Sequence, residues 1–489
     1  MMQNFDVISC FIGGKSEQGG NYFEKRYPAT GEVIAKVVES DQAQVDRAVD
    51  AARKALSGPW KNTTMLERAA FLERLANKLD EHIDELVAEE IKDTGKPITA
   101  TRNVEIPRAI ANFRAFAAIA REDHLKPFQT NMLAGGVADN MVLRQPIGVI
   151  GIVAPWNLPL LLLTWKVAPA LVCGNTIVVK PSEHSPRTAV LLAKIAHAVG
   201  LPDGVLNVVH GHGADAAGSF LVSHSDVGAI TFTGETRTGE VIMKAAAMGP
   251  RPVSLELGGK NAAVIFDDAD FDAAAAGTVR SMFDNCGQVC LTTERIFVHR
   301  KIFAPFVERL ADLTKKLQPG DPHLAVTTLG PAISDIQRDK VLGFYRRAEQ
   351  EGAQVVTGGG ALQMPASFAD GYWVAPTIWT GLPDDAEVCQ REVFGPCGHI
   401  SVFDDDDEVV KRVNNSSYGL ASTVWTKNME RARKVATEIE TGTVWVNCWR
   451  VRDERAAFGG FKRSGIGREG GTWSLDFYSE LKTVCAYTS

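Results

Sequence analysis

The chain has 489 residues, 45% of them hydrophobic, and a net charge of −7. That is enough for two or three packed domains, and the evenly mixed, mildly acidic balance lacks the clustered cations that nucleic acids or anionic membranes require. Eight cysteines with no CxxC spacing and no accompanying Cys/His cluster exclude a zinc site and point to free thiols in a reducing cytosol.

Residues 1–10 carry Asp6 and lack a basic segment followed by a long apolar one, so no secretory leader is expected. Residues 125–144 read as a hairpin-like excursion around Gly135-Gly136. From residue 147 the pattern alternates. Strand-like runs at 147–153, 176–179, 205–209 and 229–232 are separated by helical stretches, including 186–199 and one from about 214. Such a series predicts a parallel sheet with helices on both faces. The most apolar stretch, 159–179, is broken by Lys166, Pro169 and Gly174 and reads as a buried segment of a soluble core. A second alternating series spans 262–447, with runs at 296–298, 354–356, 423–425 and 444–446 and helical stretches at 303–317 and 335–350. The acidic run 404–408 reads as a solvated turn or helix start, and 481–487 as a last strand.

Several segments carry chemistry. In Asn285-Cys286-Gly287-Gln288-Val289-Cys290, the ordinary reading is two buried cysteines near a turn, and the functional one makes Cys290 a nucleophile. Glu256 stands between two leucines in Leu255-Glu256-Leu257-Gly258-Gly259-Lys260. It is either solvent-facing or buried as a base with a raised pKa, and the two readings stand level. Asn157, in Pro155-Trp156-Asn157 at a strand's carboxyl edge, either caps the next helix or aims an amide at an oxyanion. Gly211-His212-Gly213-Ala214-Asp215-Ala216 fits a degenerate dinucleotide GxGxxA turn. The glycines Gly234 and Gly239 have P-loop spacing, but Glu240 stands where an NTPase needs lysine, which excludes NTP hydrolysis and leaves a pyrophosphate-binding helix start.

Together with Lys180-Pro181-Ser182-Glu183, Phe232-Thr233-Gly234, Glu392-Val393-Phe394-Gly395-Pro396 and Phe458-Gly459-Gly460, these segments resemble the aldehyde dehydrogenase superfamily over essentially the whole chain. The resemblance implies an α/β fold in three parts. A Rossmann-like NAD-binding domain would comprise 1–123 and 145–255, and an α/β catalytic domain 256–455. A small β oligomerisation arm would comprise 124–144 and 472–489, joining a homodimer or homotetramer. It implies Cys290 as nucleophile, Asn157 with the Cys290 backbone N–H as oxyanion hole, and Glu256 as activator of the hydrolytic water. It implies NAD held by Trp156, Lys180, Glu183, Gly213, Gly234, Glu235, Leu257, Glu392 and Phe394, with a cytoplasmic location and no metal. Glu183 favours NAD over NADP because a carboxylate repels a 2′-phosphate. Glu235 departs from the serine often found there.

A closer resemblance is carried by Glu105-Ile106-Pro107-Arg108, Asn112-Phe113 and Asn447-Cys448-Trp449-Arg450-Val451-Arg452. These are similar to the 2-hydroxymuconic and 2-aminomuconic semialdehyde dehydrogenases of aromatic ring cleavage. It implies that Arg108 and Arg452 clamp a substrate carboxylate. Three alternatives stand beside it. Either arginine makes only a surface ion pair. The substrate is another small aldehyde, an uncharged one or a cation in an aromatic box of Trp165, Phe283 and Trp449. Or the chain is a non-catalytic structural protein on this scaffold.

Overall fold

A computed structural model describes residues 6–123, 125–133, 135–213 and 215–487. The expected domain ends at residues 1–5, 124 and 488–489, and Ala214 of the glycine turn, lie outside the described residues.

The Val/Ile-rich runs after residue 147 form the middle of an eight-stranded sheet. Its order is Gly465–Ile466, Val253–Glu256, Val227–Thr233, Val149–Val153, Thr176–Lys180, Leu206–Val208, Cys10–Ile12 and Lys15–Glu17. The five strands from Val253–Glu256 to Leu206–Val208 are parallel, and antiparallel partners close both edges. Continuous apolar strands suit a sheet covered on both faces. Cores pack on each side of it, one around the helices Met65–Glu81, Ile106–Glu122 and Pro159–Val172, the other around Gln42–Ala55.

The apolar 159–179 stretch is a buried helix, Pro159–Val172, followed by the central strand Thr176–Lys180. Among the described residues, no helix is long and apolar enough to cross a membrane. The N-terminal strands Asp6–Ile8, Asn21–Arg26 and Val33–Glu39 form a separate sheet that the sequence reading did not anticipate.

The second series forms a seven-stranded sheet. Its order is Gln354–Thr357, Thr377–Thr380, Cys397–Phe403, Thr293–His299, Asn261–Ile265, Ala421–Trp425 and Thr443–Val446, parallel except at the first pair. The acidic run starts a helix, with Asp405 capping Asp406–Asn414 through the Glu408 N–H. The expected excursion is a hairpin of Phe128–Asn131 and Val137–Pro146, and Ser479–Tyr487 extends it antiparallel. The helix expected from about residue 214 begins at Ala217.

Candidate active site

The first sheet sets four functional residues in a row. In register, Val153 faces Lys180, Phe232 faces Val153, and Thr233 faces Glu256. Asn157, Lys180, Gly234 and Glu256 therefore sit at or just beyond the carboxyl ends of adjacent parallel strands, where open α/β sheets bind ligands.

Cys290 comes from a loop of the second sheet, between the turn Asp284–Gly287 and the strand Thr293–His299. Asn285 and Cys286 in that turn have left-handed φ values of 50° and 56°. Gly287 has φ +69°, and a Cβ there would stand 2.0 Å from the Gly395 carbonyl oxygen, so only glycine fits. The loop is tied down on every side. Asn261 Nδ2 donates to the carbonyls of Cys290 and Thr292 at 2.7 and 2.9 Å. Gln288 donates to Asn285 O and accepts the Ile333 N–H.

Asn157 is buried, and its side chain does not cap the helix that follows it. Nδ2 donates to the Gln288 carbonyl at 3.0 Å, while the Asn157 carbonyl accepts from Asn285 Nδ2 at 2.9 Å. An amide nitrogen carries two protons, so the second remains available beside the Cys290 loop.

Cys290 lines two cavities at once. A cavity of about 130 Å³ is bounded also by Trp156, Asn157, Gly234, Glu235, Leu257, Glu392 and Phe394. A cavity of about 440 Å³ is bounded also by Arg108, Trp165, Glu256, Leu257, Arg450, Arg452 and Glu469. Burial pushes the Cys290 thiol up to about 12, and Glu256 and Glu392 add to this against Arg450 and Arg452. At rest it is a thiol.

Glu256 is 4% exposed, and neither of its oxygens has a hydrogen-bond partner. The solvent-facing alternative is thereby ruled out. Burial first, then Glu469, raises its pKa well above the ordinary carboxylate range. The sequence reading missed what surrounds it. Lys166, fully buried on the helix Pro159–Val172, donates to Glu469 Oε1 at 2.5 Å, and both act on Glu256. A lysine inside an apolar helix was the available signal, since a buried ammonium needs an anion.

On the small-cavity side, the Trp156 and Phe394 rings meet edge to face at 5.3 Å. Glu392 Oε1 accepts the Gly259 N–H at 2.7 Å, and a Cβ on Gly258 would stand 2.3 Å from Glu392 Oε2. Burial, with Glu294 nearby, raises Glu392 to about 7. Glu294, also missed, pairs with buried Lys260 and accepts the N–H groups of Val393 and Phe394, fixing that loop. Lys180 Nζ lies 3.2 Å from Glu183 Oε2. Burial would raise Glu183, but Lys180 and His184 outweigh it and hold the carboxyl at about 2. Glu235 is exposed at the start of the helix Thr236–Ala247. Gly213 stands apart from both cavities on an exposed turn with φ +82°.

Arg108 starts from the helix Ile106–Glu122, and among the described residues it forms no ion pair. The Arg452 guanidinium stacks 3.7 Å over the Trp165 ring and 4.7 Å from Phe458, and its Nη2 is buried without a partner. Burial and the neighbouring Arg108 lower its pKa to about 10. The surface ion-pair alternative does not describe either residue. The aromatic box does not form either: Trp165 lines the cavity under a guanidinium, while Phe283 and Trp449 are packed in the core. Arg450 also lines this cavity and was not singled out in sequence. Among the described residues there is no cluster of three or more His, Cys, Asp or Glu able to hold a metal.

A cysteine on the wall between two cavities, a buried amide bonded to its loop and a bare buried carboxylate on the larger cavity are together the arrangement that the resemblance to aldehyde dehydrogenases leads one to expect. The chain belongs to the aldehyde dehydrogenase family, whose model matches residues 15–484. It is 54% identical over 479 residues to a 2-hydroxymuconic semialdehyde dehydrogenase of Pseudomonas sp. (strain CF600), covering 98% of each chain. It is 49% identical over 475 residues to a 2-aminomuconic 6-semialdehyde dehydrogenase of Pseudomonas sp., covering 97% of each. The NAD+ complex of aldehyde dehydrogenase from Bacillus cereus superposes with a TM-score of 0.94 at 38% identity, covering 99% of this chain and 97% of that one.

Proposed function

We propose that the protein oxidises a carboxylate-bearing semialdehyde, 2-hydroxymuconate or 2-aminomuconate 6-semialdehyde, to the dicarboxylic acid with NAD in aromatic-compound catabolism. The observation that carries this is the position of Cys290 on the wall shared by an arginine-lined cavity and a second, aromatic-lined one. The relatives' substrates match the first cavity. Each bears an anionic group remote from its aldehyde, and Arg108 and Arg452 face that cavity without protein carboxylates bonded to them.

The residues at the sheet's edge fit NAD. Lys180 and the ionised Glu183 offer the donor and acceptor that ribose hydroxyls take, and Glu183 repels a 2′-phosphate. Glu392 would hold the second ribose, with Trp156, Leu257 and Phe394 beside the nicotinamide and Gly234 and Glu235 near the pyrophosphate. The exposed turn at Gly213 would lie toward the adenosine end.

Cys290 gives up its proton to the bare Glu256 carboxylate and attacks the aldehyde carbon. The free Asn157 amide proton and the Cys290 backbone N–H hold the resulting alkoxide, each such donor contributing about 3–4 kcal/mol. When bound, NAD supplies the acceptor for the hydride that leaves as the alkoxide collapses to a thioester. Glu256 releases that proton to solvent and then deprotonates a water, whose oxygen adds to the thioester carbonyl. Collapse breaks the C–S bond, the Cys290 thiolate takes the proton back from Glu256, and the acid leaves.

The test is kcat/KM on a muconate semialdehyde and on an uncharged aldehyde, for wild type, Arg108→Ala and Arg452→Ala. Losing charge-assisted bonds of about 1.5–3 kcal/mol should cost roughly 10- to 150-fold on the muconate substrate and little on the uncharged one. Full retention by both variants sinks the carboxylate clamp.

The same reading divides the chain into an NAD-binding part at 6–123 and 145–255, a catalytic part at 256–455, and an arm at 125–144 and 472–487. The arm exposes Leu133, Met141, Leu481 and Tyr487 on an otherwise unpaired sheet, which suits a homodimer or homotetramer. Eight free cysteines suit the cytoplasm.

A further inference from the structure

We propose that Arg450 is a third substrate-reading guanidinium, selecting an oxygen over an amino group on the carbon beside the substrate's carboxylate. This rests on the carboxylate-bearing semialdehyde reading above and narrows it to the 2-hydroxy compound.

Arg450 shares the 440 Å³ cavity with Arg108, Arg452 and Cys290. Its backbone is left-handed at φ +57°, a conformation that a residue with a side chain adopts only when its surroundings impose it. They do so here. Asn447, itself at φ +54°, exchanges two hydrogen bonds with the Thr426 backbone, Trp449 Nε1 donates to Leu291 O at 3.0 Å, and Trp445 Nε1 donates to Val451 O at 2.8 Å. The segment is thus fixed on both sides of Arg450.

Its bonding is unequal. Nη1 donates to Asp284 Oδ2 at 2.6 Å, whereas Nη2 is buried with no partner. Asp284 offsets the charge of Arg450, so this residue puts a guanidinium with an unpartnered nitrogen on the cavity wall while adding little net charge. Among the described residues Arg108 and Arg452 form no ion pair, and Glu454 acts on both from nearby. Arg450 also acts on the ionisation of both Arg108 and Cys290.

A carboxylate is fully served by two guanidiniums. A third donor-only group finds an acceptor only if the substrate carries another oxygen nearby, because a guanidinium has five N–H donors and no acceptor. A C2 hydroxyl, or its keto tautomer, supplies that oxygen. A C2 amino group conjugated through the diene to the aldehyde has its lone pair delocalised and presents N–H instead. Two donors then face each other with neither satisfied. Sites built to bond an oxygen reject analogues lacking it for this reason.

The experiment measures kcat/KM for 2-hydroxymuconate 6-semialdehyde, 2-aminomuconate 6-semialdehyde and an uncharged aromatic aldehyde, on the full-length wild type, Arg450→Met and Arg450→Lys. Wild type should prefer the 2-hydroxy compound. Arg450→Met should cut its kcat/KM about 10- to 100-fold more than it cuts that of the 2-amino compound or the uncharged aldehyde. Arg450→Lys keeps the charge but loses the fork, so the 2-hydroxy to 2-amino ratio should fall there too. It carries the comparison alone if the Met variant does not fold. An unchanged ratio in either variant overturns the proposal. So does an equal loss on all three aldehydes, which would make Arg450 a support for the Asp284 turn that leads to Cys290. If Arg108→Ala and Arg452→Ala weaken carboxylate recognition while the ratio stays fixed in Arg450→Met, this inference alone has failed. If those two variants lose nothing, the carboxylate reading has failed beneath it.

Discussion

The two walls that meet at Cys290 are built by different means. The small-cavity wall is made largely of strand ends and the loops just after them, Trp156 and Asn157 beyond Val149–Val153, Gly234 beyond Val227–Thr233 and Leu257 beyond Val253–Glu256, with Gln337 and Lys340 of the helix Asp335–Gln350 and the Glu392–Phe394 loop completing it. The larger cavity shares the strand ends at Thr233 and Glu256 and adds two helices, the strand Thr443–Val446 and an irregular segment: Arg108 on Ile106–Glu122, Trp165 on Pro159–Val172, and Arg450 and Arg452 in the stretch after Val446. The first wall inherits its geometry from a sheet register. The second takes part of its wall from the same register and the rest from buried charges and left-handed residues, and that remainder leaves its chemistry adjustable while the reaction stays the same. Changes on the shared line should therefore abolish turnover on every aldehyde, and changes on the arginine wall should alter only which aldehyde is taken.

The largest effect belongs to the shared line. Cys290→Ala should lower kcat by at least about 10⁴-fold on charged and uncharged aldehydes alike, as loss of a nucleophile does elsewhere. NADH formation at a substantial residual rate would place the nucleophile at another atom. Glu256→Gln should follow, with about 10²–10⁴-fold loss, because the variant can neither take the Cys290 proton before attack nor activate the hydrolytic water. Both the first equivalent of NADH and the turnovers after it should slow, and rapid absorbance separates the two phases. In wild type, the base must be ionised, and its pKa is raised by burial and Glu469. Turnover should therefore rise with pH through a limb above the ordinary carboxylate range of about 4.3, and that limb should vanish in the Gln variant. Asn157→Ala ranks third, at about 10²–10³ in kcat, the loss seen on removing one oxyanion donor. An unchanged kcat would return Asn157 to a purely structural bond with Gln288.

The same contrast explains what could be read without coordinates. Strand-to-loop junctions are local, so the runs before Asn157, Lys180, Gly234 and Glu256 were legible from Val/Ile content and turn residues. The meaning of each junction residue was not. Asn157 as cap and Glu256 as surface group stayed open until the Gln288 carbonyl and the burial of both Glu256 oxygens were visible. Resemblance, not periodicity, tied Cys290 to them, since it comes from a different sheet. The partners of long-range ion pairs were not legible at all. Lys166 and Glu469 lie 303 residues apart and Lys260 and Glu294 34 apart, and no local pattern links either pair. Arg450 escaped notice because its role rests on a backbone conformation and on Asp284, 166 residues away.

The smallest effect probes the seam between the walls. Lys166→Met removes a cation that lowers the Glu256 pKa and leaves Glu469, which raises it, without its partner. Both changes act in one direction, so the kcat limb should move to higher pH, with turnover near neutrality reduced by about tenfold or less. Loss of the partner to a buried carboxylate also destabilises the fold by about 3–5 kcal/mol, which thermal unfolding would register. The double variant Lys166→Met with Glu469→Gln separates the two effects. Glu469 acts on Glu256 more strongly than Lys166 does. Removing both charges should thus bring the limb below its wild-type position and recover much of the lost stability. A double variant whose limb stayed with that of the single one would mean that burial alone sets the ionisation of Glu256. The ion pair would then belong to the packing between the helix Pro159–Val172 and the Phe458–Glu469 bridge, and the chemistry would not depend on it.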